Sequence, residues 1–137
     1  MSAPGSLLRS PSLLKYALIG DALASGAAGL VLVAAAAPLA GWLGLPETLL
    51  RLAGASLLPF ALIVAWVGTR AVPPRAAAWA IVAYNAVWIV ESFALLLFGG
   101  YSPTSLGVAF VVAQAIVAGV FAELQVFGLR ASRIAAA

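Results

Sequence analysis

"TLLRLAGASLLPFALIVAWVGT", residues 48–69, carries a single charge, Arg51, in an otherwise almost wholly apolar run. A hydrocarbon layer about 30 Å thick needs about 20 helical residues to cross it, and this run supplies them. A half-buried strand is a poor reading, because the apolar residues run on without alternating with polar ones. A helix also satisfies its own backbone hydrogen bonds, which lipid demands. The stretch reads as a transmembrane helix, and it sets the pattern for the rest of the chain.

Working outward, three further runs have the same character. "LLKYALIGDALASGAAGLVLVAAAA" occupies 13–37, with apolar sequence trailing on toward Leu43; the others cover about 76–98 and 104–128. The punctuation between them agrees. "GLPET" (44–48) puts Pro46 ahead of a helix with Glu47 in its first turn, where the helix dipole favours an acid. "TRAVPPR" (69–75) cannot continue a helix through two prolines, and "GGYSPTS" (99–105) offers Thr104 as a helix cap. The connections are short, so consecutive helices are expected to be antiparallel neighbours. The expected fold is an all-α integral membrane protein: one domain over 1–137, a four-helix bundle running up-down-up-down.

Composition supports lipid as the surrounding solvent. Of 137 residues 65% are hydrophobic and 8% charged, too few polar groups to coat a water-soluble domain. The chain has no cysteine and no histidine, which removes disulfides, thiolate metal sites, His-ligated haem and imidazole acid–base chemistry. No phosphate-binding glycine loop, nucleophile elbow or metal-spaced acid cluster is present either, so no enzyme activity and no cofactor are expected. Seven bases give a net charge of +3 but form no patch suited to nucleic acid.

The bases set the orientation instead. With four spans, Arg9, Lys15, Arg70, Arg75, Arg130 and Arg133 fall on one side and Arg51 alone on the other. The positive-inside rule then puts both termini in the cytoplasm. Tyr16, Trp42, Trp66, Trp79 and Tyr101 fall near span ends, as interfacial aromatics do. Cleavage of the first span as a signal peptide is not expected, because it is too long and Asp21 interrupts it. A faint echo links "GWLGLPETLL" (41–50) with "GGYSPTSLG" (99–107), readable as a duplicated hairpin or as coincidence in an Ala/Leu/Val-rich chain.

The polar residues inside the spans are the candidate site. Counting along each helix puts Asn85 and Gln114 near the midplane, where they could bond each other across adjacent helices. Pro59 comes to a similar depth and leaves the carbonyl of Ala55 without its helical donor, with Ser56 at hand to help; a kink or a hinge would follow. An unpaired acid at such depths costs about 2.5–3.5 kcal/mol, so Asp21, Glu91 and Glu123 should have partners. Arg51 or Tyr101 is the expected partner of Glu91. Tyr84, Trp88 and Glu91 share one face of their helix, with Asn85 and Ser92 on the next stripe. Ser25 stacks on Asp21 at i, i+4, and Arg130 lies on the face of Glu123, within snorkelling reach. Gln114 and Gln125 share another face of that last helix. Asp21 and Glu123 both belong to the cytoplasmic half, where they could meet and share a proton. Each could equally be locked to a base or amide of its own.

"LGLPETLLRLAGASLLPFALIVAW" (43–66), "AYNAVWIVES" (83–92) and "FAELQVFGLR" (121–130) resemble the uncharacterised families of small four-span bacterial inner-membrane proteins. The resemblance runs from about Asp21 to Arg130 and implies a bacterial inner membrane without implying an activity. A looser analogy is to small multidrug resistance proteins, which also have four short helices and an acid in the first. That family has Glu where "ALIGDALASG" has Asp21, and its aromatic pattern and fourth-helix glycines differ. The leading expectation is a non-catalytic accessory or interaction protein that contacts membrane lipids and forms a homo-oligomer or joins a larger membrane complex. The alternative is a small proton-coupled transporter or channel working through Asp21, Glu91 and Glu123. A pocket for a lipid or isoprenoid-like ligand is a third.

Overall fold

A computed structural model describes residues 12–136 of the chain, with side chains described as far as Ser132. Arg9 lies outside the described residues, as does the side chain of Arg133. The elements are α1 (Leu13–Ala34), α2 (Ala36–Leu43), α3 (Glu47–Gly68), α4 (Arg75–Phe98) and α5 (Ser105–Ala136). There is no strand among the described residues, and α1, α3, α4 and α5 are each long and apolar enough to cross a membrane. This is an all-α helical bundle of a multi-pass membrane protein.

Two boundaries differ from the sequence reading, each for a local reason. The first span ends at Ala34 instead of running to Ala37, because Pro38 has no N–H for the carbonyl of Ala34 and its ring would collide with it. Ala35 breaks the helix at φ −112°, ψ 21°. The chain then restarts as α2, with Pro38 in the first turn, where a missing N–H costs nothing. At the other end, α5 continues past Gly128 to Ala136, since "LRASRIAA" holds good helix formers and no proline.

The ends of the helices show their directions. Lys15 Nζ donates to Arg70 O at 3.2 Å, and Arg75 Nη1 donates to Leu129 O at 2.8 Å. The start of α1, the end of α3, the start of α4 and the last part of α5 therefore meet at one end of the bundle. At the opposite end Thr104 N donates to Leu43 O at 3.0 Å, and Thr104 Oγ1 to Trp42 O at 2.7 Å. Thr104 also caps α5 by accepting from Gly107 N at 3.1 Å. Gly44 closes α2 at φ 68°; a Cβ there would sit 2.9 Å from Ser102 O, so the two turns that echo in sequence dock on each other.

Packing groups the long helices into two hairpins, α1 with α3 and α4 with α5, joined mainly by α1 against α5. Gly29 and Gly54 let α1 and α3 approach closely: a Cβ on Gly54 would lie 2.8 Å from Gly29 O. Leu14, Leu18, Leu50, Val64, Val67 and Leu129 fill the core. One expectation fails here. Although α3 and α4 follow each other in sequence, they touch only sparsely. The small residues that allow close packing lie on the α1 face of α3, so α3 turns that way and leaves α4 to α5.

Candidate functional site

Asp21 is the centre of the only fully enclosed ionisable site among the described residues. It is 2% exposed, and its carboxylate is held from three helices. Ser25 Oγ, one turn along α1, donates to Oδ1 at 3.1 Å. Asn85 Nδ2 of α4 and Gln125 Nε2 of α5 both donate to Oδ2, at 2.8 and 2.7 Å. Asn85 and Gln125 are themselves in long contact at 3.4 Å. All three donors are neutral, and no Lys or Arg pairs with Asp21 among the described residues. Hydrogen bonds to an acid are the strong kind, and here they tie α1 to the α4–α5 hairpin.

A second node lies further along α4 and α5. Gln114 Oε1 accepts from Trp88 Nε1, while its Nε2 donates to Ser92 Oγ at 2.9 Å and to Val111 O at 2.8 Å. Ser92 Oγ in turn donates to Trp88 O at 2.7 Å. A third node is the thin seam between α3 and α4, where Ser56 Oγ and Tyr84 Oη are 2.9 Å apart and Phe60 stacks on Tyr84 at 3.9 Å between centroids. No buried side-chain polar atom among the described residues lacks a partner.

Several expected pairings are replaced. Asn85 and Gln114 do not meet, because α4 and α5 are registered by Asn85 on Gln125 and by Ser92 on Gln114, about two turns further along α4 and three turns back along α5. Asp21 and Glu123 do not meet either. Gln125, two residues on, points about 200° away from Glu123, so the face that reaches Asp21 carries the amide and leaves Glu123 exposed. No ion pair joins Glu123 to Arg130, which is also exposed. Arg51 binds Glu47 on its own helix at 2.6 Å, leaving Glu91 exposed with no polar partner among the described residues. Ser56 serves Tyr84 and does not serve the carbonyl freed by Pro59, which sits inside an α3 that is helical throughout. The pairings that hold are Ser25 with Asp21 and Trp88 beside Tyr84.

Two cavities adjoin these nodes. The larger, about 350 Å³, lies in the gap between α3 and α4; its wall is mostly Leu, Ala and Val, with Trp88, Ser92 and Gln114 on its inner side. Leu52 and Glu91 stand exposed on its rim, so it opens on the outside of the bundle. The smaller, about 70 Å³, is bounded by Asp21, Ser25, Asn85 and Phe121. Ala28, Leu57, Trp88 and Gln114 line both, so the Trp88–Gln114 bond stands at the partition. Among the described residues no three His, Cys, Asp or Glu side chains gather as metal ligands.

Comparison with protein-family models, curated proteins and solved structures finds no match to the chain. The site must therefore be judged on its geometry. Gln125 and Ser92 complete it, and both carried a sequence signal: an amide three turns from Gln114 on one face, and a hydroxyl one turn past Trp88.

Proposed function

We propose that this chain is a non-catalytic, multi-pass protein of the bacterial inner membrane that works by association, with copies of itself or within a larger membrane complex. The observation that carries the reading is the outer stripe of α5. Ala113, Ile116, Val120, Glu123, Phe127 and Arg130 recur at alternating spacings of three and four, and all are exposed. That is a seam at helix-pairing period. Glu123 within it would cost about 2.5–3.5 kcal/mol if it faced lipid unrelieved, and a neighbouring helix offers relief. The basic end, with Lys15, Arg70, Arg75 and Arg130, faces the cytoplasm by the positive-inside rule.

The test exploits the absence of native cysteine. Val120→Cys should cross-link between copies under oxidation in native membranes, while Leu62→Cys, on the outer face of α3, should not. In mild detergent the wild-type protein should run well above the mass of one 13.8 kDa chain. A single-chain mass together with no Val120→Cys cross-link would refute the reading.

One observation favours a second reading, proton movement through Asp21: its small cavity shares a wall with the larger cleft. Proteoliposome proton flux decides between the two. Flux lost in Asp21→Asn supports transport, whereas background flux from wild type, Asp21→Asn and Glu123→Gln alike supports the associating bundle.

A further inference from the structure

The cleft between α3 and α4 has the features of a site for one membrane lipid, and we propose that it holds a phospholipid with a primary ammonium headgroup. Its volume of about 350 Å³ falls in the range of small-molecule sites. The wall from Leu49 to Leu57 spans about 12 Å along α3, a surface suited to an acyl chain. The gap exists because α3 packs on α1 and α4 on α5, so that α3 and α4 meet only sparsely, at Ser56–Tyr84 and Phe60–Tyr84. Opening as it does on the outside of the bundle, it is entered from the bilayer.

The choice of headgroup rests on charge. Glu91 lines the cleft opposite the first turns of α3, where Leu49 and Leu52 stand, and it has no polar partner among the described residues. Arg51, in the same turns of α3, is bound to Glu47. The region thus carries Glu47 and Glu91 against one base, one negative charge in excess. A primary ammonium can donate a charge-assisted hydrogen bond to the free carboxylate, and the adjoining phosphate can take the guanidinium hydrogens of Arg51 that Glu47 leaves free. A quaternary choline headgroup has no N–H to donate. An anionic glycerol headgroup brings charge of the wrong sign.

Trp88 reports on the cleft, since it lines the inner wall. With Trp42, Trp66 and Trp79 replaced by Phe, all three being exposed, Trp88 is the sole indole. In nanodiscs doped with lipids brominated on the acyl chain, phosphatidylethanolamine should quench Trp88 at a mole fraction about threefold lower than phosphatidylcholine does, as expected for one exposed ion pair. Glu91→Gln, at an exposed position, should erase that difference. Ala53→Phe, which fills the cleft, should weaken quenching by both. Equal quenching by the two lipids in the wild type, a preference that survives Glu91→Gln, or stronger quenching by phosphatidylglycerol would each overturn the proposal. Neither readout depends on self-association, so it stands or falls apart from the α5 interface.

Discussion

The α1–α3 and α3–α4 contacts are both made by α3, yet they are built on opposite terms. Against α1, α3 presents Gly54, and the backbones come within the reach of a methyl group. Against α4 it presents Ser56 and Phe60, which meet Tyr84, and a cleft remains beside them. Loop length does not explain the difference, since the looser pair has the shorter connection, residues 69–74 against 35–46. In lipid, apolar side chains gain nothing by hiding from the solvent, so close packing and buried polar bonds decide which helices pair. Gly29 and Gly54 make one seam tight; α4 offers no glycine to do the same for the other.

The tight seam offers the largest effect. Gly54→Val puts a branched side chain where a single Cβ would already lie 2.8 Å from Gly29 O and Leu32 Cβ. We expect a loss of about 3 kcal/mol or outright failure to fold, since neither the backbone nor the core leucine can move aside cheaply. Thermal or denaturant unfolding in detergent measures it. A loss below about 1 kcal/mol would mean that the two helices are free to separate and that the seam is not tight.

Next comes the Asp21 knot, which fastens the tight hairpin to the other one. Asp21→Ala strands the Asn85 and Gln125 amides in a buried site and should cost about 2 kcal/mol. Asp21→Asn keeps an acceptor and should cost about half as much. Because the knot acts as a unit, Asp21→Ala combined with Asn85→Ala should cost less than the two losses summed. Strict additivity would show that these groups do not interact.

The open seam should respond weakly. Tyr84→Phe keeps the stack on Phe60 and removes only the hydroxyl shared with Ser56, so about 0.6 kcal/mol is expected from the same unfolding measurement. A loss as large as that of Asp21→Ala would make the α3–α4 seam a true fastening, and the contrast between the seams would collapse.

The contrast also marks how far the sequence could be read. The four spans were legible because apolar length is a one-dimensional property. So were the turn residues Pro46 and Thr104, whose chemistry acts on their own backbone. Ser25 on Asp21 was legible as an i, i+4 pair within one helix. Partners across helices were not, because rotation and register decide them. Asn85 and Gln114 have similar depths by counting, yet α5 slides so that Gln125 reaches Asn85. Glu123 and Gln125 are two residues apart, and a 200° turn puts one outside the bundle and the other at its centre. Nothing in the sequence said that α3 would choose α1 over α4, although "AGAS" and "SGAAG" held the glycines that made the choice.

The smallest effect separates two pairings of one base. Exposed ion pairs one helical turn apart are worth about 0.3–0.5 kcal/mol, and Arg51 with Glu47 at 2.6 Å is such a pair. A double-mutant cycle on Arg51→Gln and Glu47→Gln should return a coupling of that size. The same cycle on Arg51→Gln and Glu91→Gln should return none within error in lipid lacking an ammonium headgroup, because the two side chains stand on helices that barely touch. If Arg51 instead couples to Glu91 and not to Glu47, the base bridges α3 and α4 and the cleft is closed by protein. Glu91 would then hold no free charge for a ligand, and the open seam would be a second fastened one.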